Sequence, residues 1–562
     1  MSVIQIASSA VNAKLYNATD DVRRFVSSII SYKVQGAEMS AAYRSNQWDG
    51  RSTFFDFKTN KFPAGFVNYV YAQLTKQGHT VQIVKKPLPE PLGVENPKVD
   101  NFKEDPRYDY QAEAVRRLLK HGMMIAQVAT GGGKSRIARI AYARVQRPTM
   151  FLTTRSVLMH QMKDSFEEAF NIKVGVMGDS DWSPRSGFNV AMVQTLAQRL
   201  EKKTYNGEIA TRLEAQKRRE DDDVADLKKR LKRKKRPINV IALEVQKLRK
   251  QQIEARPSDA WLAADVKKKV DEHNKRRLRV VEIVEKMEFV ILEEAHEAGS
   301  NSYYSVMRAC KNAYYRLSLT ATPFMKDDEE ANMRLMAVSG MIGIRVTEEM
   351  LIERGILARP YFKFVSLPKP EKLHRMTPWQ NAYKHGIVNN DIRNTHIVKE
   401  VLTARQYDLP AMVLIQQTAH GKALETLMRS AGLNAKFIFG ESKQSERKSE
   451  LKRLQSGEVD VLIGSTILDV GVDVPSVGMV ILAGGGKAEV ALRQRIGRGL
   501  REKKNMPNVA FIVDFVDQHN VHLSDHFKQR EYVIRNTPGF GENVLDPGQQ
   551  FDFKGLGLRK LA

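Results

Sequence analysis

Met123-Met124-Ile125-Ala126-Gln127-Val128-Ala129-Thr130-Gly131-Gly132-Gly133-Lys134-Ser135 is the stretch that decides the fold. Met123 to Gln127 reads as a short buried strand, and it runs into a glycine turn ending in Lys-Ser. Such a turn is a cradle for phosphate: the glycines let backbone N–H groups crowd an anion, and the next helix aims its positive dipole end at it. Thr130, Gly131, Gly132 and Gly133 line the cradle, Lys134 reaches the β- and γ-phosphates of ATP, and the Ser135 hydroxyl holds Mg²⁺. Val128 stands where the pattern GxxxxGK[ST] has its first glycine, so a chance glycine-rich turn is the bland alternative.

The company of this stretch argues against chance. Glu293-Glu294-Ala295-His296 follows the apolar run Phe289 to Leu292, and Thr320-Ala321-Thr322-Pro323 follows Leu317 to Leu319. Gln494-Arg495-Ile496-Gly497-Arg498-Gly499-Leu500-Arg501 opens a helical pattern much later, and Tyr108-Asp109-Tyr110-Gln111 lies upstream. In this order the segments resemble the ATP-binding, acidic, coupling, arginine and adenine-reading motifs of superfamily 2 helicases.

The resemblance implies a role for each matching residue. Gln111 reads adenine, Glu293 holds Mg²⁺, and Glu294 orients or deprotonates the attacking water. Arg498 and Arg501 neutralise charge at the γ-phosphate from a second domain, with Gln494 beside them. Gly471-Val472-Asp473-Val474-Pro475 resembles the motif joining nucleotide to nucleic-acid track, which places Gly471 and Asp473 near the nucleotide. Arg155, Gln194, Thr195 and Thr466 fall where the family grips a strand's phosphates, a contact blind to base sequence. One departure matters: the family's acidic motif begins with Asp, and Glu293 adds a methylene that displaces the carboxylate. A hydrolysis-impaired binding module therefore stands beside the working motor, and an RNA helicase shares the same motifs.

Composition agrees with a large nucleic-acid-binding enzyme. The 562 residues exceed one core, and hydrophobic content of 42% suits globular folding with no run long enough to span a bilayer. Lys and Arg number 90 against 65 Asp and Glu, a net charge of +25, which points to a polyanionic partner, most simply nucleic acid. Cys310 is the one cysteine, which excludes an intramolecular disulfide framework and fits a reducing compartment. No secretory signal opens the chain, so a cytoplasmic location is expected, in the host if a phage encodes it.

Strand-like runs alternate with helical patterns in two series. The first holds Met123–Gln127, Thr149–Thr153, Val190–Val193, Phe289–Leu292 and Arg316–Leu319. The second holds Ala411–Ile415, Lys436–Phe439, Val459–Ile463, Met479–Leu482 and Val509–Val513. The expected class is α/β: two tandem RecA-like parallel-sheet domains, a small N-terminal α+β domain and a charged helical insertion in the first RecA-like domain. Expected boundaries are 1–100 for the accessory domain, 101–345 and 346–535 for the RecA-like domains, and 536–562 for a loose tail. Residues 201–286, with the basic block Lys228 to Arg236 and the acidic run Glu220 to Asp223, read as a helical hairpin. Pro237 and Pro257 punctuate it, and Val240, Leu243 and Leu248 form its apolar stripe. A DNA clamp, a protein-partner site and a merely solvated arm are all open for it.

Tyr43-Arg44-Ser45-Asn46-Gln47-Trp48-Asp49-Gly50-Arg51 and Phe62-Pro63-Ala64-Gly65 resemble the leading domain of phage UvsW-type recombination helicases. Gly355-Ile356-Leu357-Ala358-Arg359-Pro360 and Asn389-Asn390-Asp391-Ile392-Arg393-Asn394 are similar to the same group and to its XPB-related members. The resemblance implies branched DNA as substrate, in recombination, repair or replication. It makes Trp48 and Arg51 candidate DNA contacts, although a Trp beside a turn is more often a core anchor. Asp49 and Asp56 fall short of a metal-nuclease pattern because no third carboxylate is placed with them.

Overall fold

A computed structural model gives the architecture; it describes every residue except 1–2, 100–104, 296, 298–299, 325–327, 440–443, 465–476, 487–491, 494–495, 498–499, 504–505 and 562, and omits the side chains of 444, 445 and 448. Two large sheets dominate. The first has eight strands, in the order Asp181–Ser183, Gly175–Gly178, Phe188–Met192, Thr149–Thr153, Phe289–Glu293, Tyr315–Thr320, Met123–Val128 and Ile342–Val346. Only the Asp181–Ser183 edge is antiparallel. The second has six parallel strands, Arg359–Ser366, Val509–Val516, Met479–Ile481, Ala411–Leu414, Val461–Gly464 and Ala435–Ile438. Parallel strands need helical crossovers, which cover both faces and bury the sheet; Met150, Phe151 and Leu152 are accordingly sealed from solvent.

The ten runs expected from sequence are all strands, nine of them with shifted ends and Thr149–Thr153 unchanged. Val193 belongs to the helix Val193–Leu200 rather than to the strand before it. Four further strands lacked an apolar signal. Gly175–Gly178 and Asp181–Ser183 are short, and Ile342–Val346 carries Gly343, Arg345 and a bulge. Arg359–Ser366 hides a charge: Lys363 is buried within it, its ammonium 2.7 Å from the buried Glu400 carboxylate.

The N-terminal residues form a four-stranded sheet, Lys61–Pro63, Asn12–Tyr16, Ile4–Ser8 and Val81–Lys85, backed by the helices Asp20–Ile29 and Val67–Lys76. Its core of Ile6, Leu15, Val26, Phe66 and Leu74 continues into Ala337 of the first lobe. Gly65 sits so close to that lobe that an added Cβ would lie 2.0 Å from the Met336 carbonyl oxygen. Arg308 donates to Asn12 Oδ1, and the Glu329 carboxylate accepts from Lys33 N and the Arg51 guanidinium. The connecting segment is strapped down as well: Arg144 donates to the Gly93 carbonyl and Arg147 to that of Glu90.

The insertion is helical: Tyr205–Arg233, Ile238–Glu254 and Asp259–Glu285. Contacts pair Asp221 with Arg249, Glu220 with Arg256, Arg212 with Asp265 and Lys203 with Asn274. The second and third helices therefore both run antiparallel to the first. This is a hairpin whose return leg is broken at Pro257, where the missing N–H and ring sterics stop a helix. The apolar stripe differs from expectation: Ile241 is the buried residue, with Val245 and Leu248 partly covered, while Leu243 is exposed.

Beyond Asn536 the chain has almost no regular structure but is not loose. Phe551, Phe553 and Leu558 are buried against the second sheet, Phe553 stacking on Tyr407 with ring centres 4.4 Å apart. Among the described residues no helix is long and apolar enough to cross a membrane.

Candidate active site

The phosphate-cradle strand, the coupling strand and the acidic strand are neighbours in the first sheet, so their carboxyl ends meet. That edge is where parallel sheets take ligands. Gly131 and Gly133 adopt left-handed φ of 89° and 78°, and Lys134 begins the helix Lys134–Val145. Val128 needs no glycine because it is the last strand residue, buried and paired with Val346. Lys134 Nζ donates to the Val128 carbonyl at 3.5 Å. Gln111 is buried beside the cradle; its Nε2 and the Tyr110 hydroxyl both donate to the Gly132 carbonyl. Gln111 Oε1 has no partner, and neither has Thr130 Oγ1. Ser135 is partly exposed at the start of the helix.

Glu293 closes its strand and is 6% exposed, with Oε2 unpartnered. Burial, then the charge of Glu294, pushes its carboxyl up to about 7, opposed by the nearby Lys134 ammonium. Glu294 turns the chain away with a left-handed φ of 48°. An unpaired buried carboxylate next to a phosphate cradle is chemically apt for a divalent cation that arrives with a nucleotide. Among the described residues, no group of three or more His, Cys, Asp or Glu is placed to hold a metal.

The second lobe reaches this same edge. An added Cβ on Gly497 would meet Thr130 Cγ2 at 2.6 Å, and one on Gly131 would meet Leu357 Cδ2 at 2.6 Å. Leu357 also bridges to the backbone of Arg501, and Ala358 N donates to the Leu500 carbonyl. Gly497 of the arginine stretch is thus packed on the cradle, with Leu500 and Arg501 held by Leu357 and Ala358. Arg498, Gln494, Gly471, Asp473 and Thr466 lie outside the described residues.

Track candidates lie along the same edge. Arg155 follows the strand Thr149–Thr153, and Gln194 and Thr195 open the helix after Phe188–Met192, Gln194 being exposed. Trp48 and Arg51 are not brought here; they belong to the N-terminal unit. Trp48 is no core anchor: it is half-buried, and its Nε1 donates to the Arg51 carbonyl at 2.6 Å. Arg51 spends its guanidinium on Ser31 and Glu329, a joint between units.

Sequence reasoning missed several residues. Glu297 accepts from Arg155 at 3.2 Å and from the Thr154 hydroxyl, tying the track to the acidic strand end. Arg107 bridges to Glu502 of the second lobe at 3.0 Å. Four successive carbonyls, of Ala483, Gly484, Gly485 and Gly486, accept from Arg393, Tyr383, Gln416 and Arg530 respectively. This grip fixes the chain leading to the arginine stretch, and it explains part of the Asn389 to Asn394 segment: Arg393 is buried and paired with Asp517 at 2.6 Å. Its one legible signal was an arginine inside an otherwise buried helical face.

Comparison with known proteins agrees with this geometry. Residues 105–325 match the family described as type III restriction enzyme, res subunit, and residues 393–503 match the helicase conserved C-terminal domain. A putative helicase 22 of a Sulfolobus islandicus filamentous virus is 26% identical over 49% of this chain and 49% of its own length. The putative ATP-dependent helicase IRC3 of Saccharomyces cerevisiae is 26% identical over 41% of this chain and 34% of its own length. The DNA 3'-5' translocase XPB2 of Sulfurisphaera tokodaii is 25% identical over 40% of this chain and 58% of its own. The matches thus span about half or less of the viral and yeast relatives. Among solved structures, T4 UvsW aligns over 97% of this chain and 99% of its own, at 16% identity and a TM-score of 0.40. With one helicase family model on each large sheet and the phosphate cradle at their junction, the chain belongs to the superfamily 2 helicases.

Proposed function

We propose that the protein is an ATP-dependent DNA translocase that remodels branched DNA such as forks and Holliday junctions. The observation that carries this reading is the convergence of both lobes on one phosphate cradle, with Gly497 against Thr130 and Leu357 against Gly131. Lys134 would neutralise the β- and γ-phosphates, and Gln111, with a free amide oxygen, would read the adenine amine. Ser135 and Glu293 would hold Mg²⁺, which supplies charge neutralisation on the phosphates. Glu294 would orient or deprotonate the water, and Arg498 and Arg501 would stabilise the charge that develops. Narrowing of the cleft on ATP and widening after hydrolysis would step the two lobes along a strand held at Arg155, Gln194, Thr195 and Thr466. The net charge of +25 supports a polyanionic track. Resemblance of the N-terminal stretch to the UvsW-type leading domain supports a branched substrate, with Trp48 as the contact there.

The test is an ATPase and unwinding panel across fork, four-way junction, plain duplex, single-stranded DNA and single-stranded RNA. Hydrolysis should rise with DNA, should vanish in Lys134→Ala, and junctions should be processed faster than plain duplex. Stimulation by RNA above every DNA form would assign an RNA helicase instead. A second reading rests on Glu293 standing in place of Asp: a hydrolysis-impaired binding module. In that case Glu293→Asp raises turnover and Glu294→Gln changes nothing.

A further inference from the structure

The insertion separates its charges along its length. Toward its base, acids are consumed between the legs: Glu220, Asp221 and Asp265 each hold an arginine of the opposite leg within 2.6 Å. From Leu227 to Leu243 there is no acidic residue, while Lys228 to Arg236 carries eight Lys and Arg. All eight are exposed, and none takes part in an ion pair among the described residues. The negative end of the first helix favours Arg230, Lys232 and Arg233 in its last turn. It does not account for Lys234 to Arg236 beyond it, nor for a lysine at position 235, whose φ of 52° suits Gly or Asn better.

The tip is also well placed. Asp259–Glu285 feeds the strand Phe289–Glu293 at its amino end, with Val280 and Val284 in the core of the first lobe. A crossover helix of this kind descends antiparallel to its strand. The arm therefore rises toward the carboxyl edge, the edge of Arg155 and Gln194. Its first leg of 29 residues is about 43 Å long at about 1.5 Å per residue.

We infer that this tip binds the phosphate backbone of duplex nucleic acid beyond the motor track. The inference deepens the translocase reading above and rests on it. Duplex is favoured over single strand on two counts. Residues 227–243 hold no aromatic on which an unpaired base could stack. A duplex also presents a phosphate charge about every 1.7 Å of axis, twice the density of one strand. A spread cluster of flexible cations matches that array without reading sequence.

The experiment uses the full chain without nucleotide. Anisotropy titrations compare a duplex bearing a single-stranded tail with the tail alone, across salt, for wild type and a variant carrying Lys228→Gln, Lys229→Gln, Lys232→Gln and Lys235→Gln. Gln keeps helix propensity at these exposed positions, and a second variant with Arg at the same four positions keeps the charge. The Gln variant should bind tailed duplex at least about tenfold more weakly near 0.1 M salt, and its log–log salt slope should fall by about 3 to 4, at about 0.9 per lost phosphate contact. Tail binding should not change, nor should tail-stimulated ATPase in a separate assay with ATP, and the Arg variant should bind as wild type does. Unchanged duplex affinity and slope would overturn the inference and leave the tip to a protein partner. Equal loss on tail and duplex would overturn the duplex assignment. Failure of the translocase reading is seen separately, as wild type that hydrolyses no ATP with any nucleic acid, since tip-dependent binding is measured without turnover.

Discussion

Glu293 carries a carboxylate that burial pushes up to about 7, against a usual 4.5. A group whose folded value is raised binds its proton more tightly in the folded state between those two values. The charged form therefore costs stability as pH rises from 4.5 toward 7, and the full cost stands above 7. Converting the shift gives about 3 kcal/mol. Glu293→Gln, without nucleotide, should raise the unfolding free energy from urea titration at pH 8 by that order, with a higher midpoint, and leave both nearly unchanged at pH 4. A midpoint equally raised at both values would show that something other than ionisation is at work. That Glu293, Lys134 and Gln111 belong together was legible because each is a chemically distinctive side chain at a strand or helix end. The partners Glu297, Arg107 and Leu357 were not, since an isolated Glu, Arg or Leu carries no pattern until folding places it.

Among elements, strands were readable where four or five apolar residues run together and unreadable where a charge or glycine interrupts them. Arg359–Ser366 holds a buried ion pair, and its Lys363 reads as solvent-facing in the sequence. The tail misled for the opposite reason. Phe551 and Phe553 flank Asp552 with the period of a strand, but three residues in a glycine-rich segment are too few to register. Phe553→Ala should cost the second lobe about 3 kcal/mol, read as a lower urea midpoint. An unaltered midpoint would mean that the tail merely rests on the surface. Contact between Gly497 and the cradle is equally specific. Gly497→Ala should cut ATP turnover at least about tenfold, because its methyl falls 2.6 Å from Thr130 Cγ2. Adding Thr130→Gly, which removes both that methyl and the Thr130 Cβ that would lie 2.7 Å away, should restore most of it. No rescue would show that Gly497 matters for some other reason.

Across the whole molecule, two parallel sheets and a helical insertion followed from alternating runs and a shift in composition. The seating of the N-terminal unit did not, because surfaces between units are chosen by shape. Gly65 decides that seating, with its Cα pressed on the carbonyls of Met336 and Ala337. Gly65→Val should make the connecting residues 86–99 more sensitive to limited proteolysis, at least severalfold in rate, while helical content stays constant. Unchanged cleavage would place the joint elsewhere. The helix that receives Gly65, Glu329–Ser339, also receives Arg51 and begins a few residues after Thr322. Residues 3–99 are consequently moored to the first lobe. On the proposed function, any branch point they grasp would be carried as freight on the first lobe, and each swing of the second lobe would pull its strand against that fixed anvil.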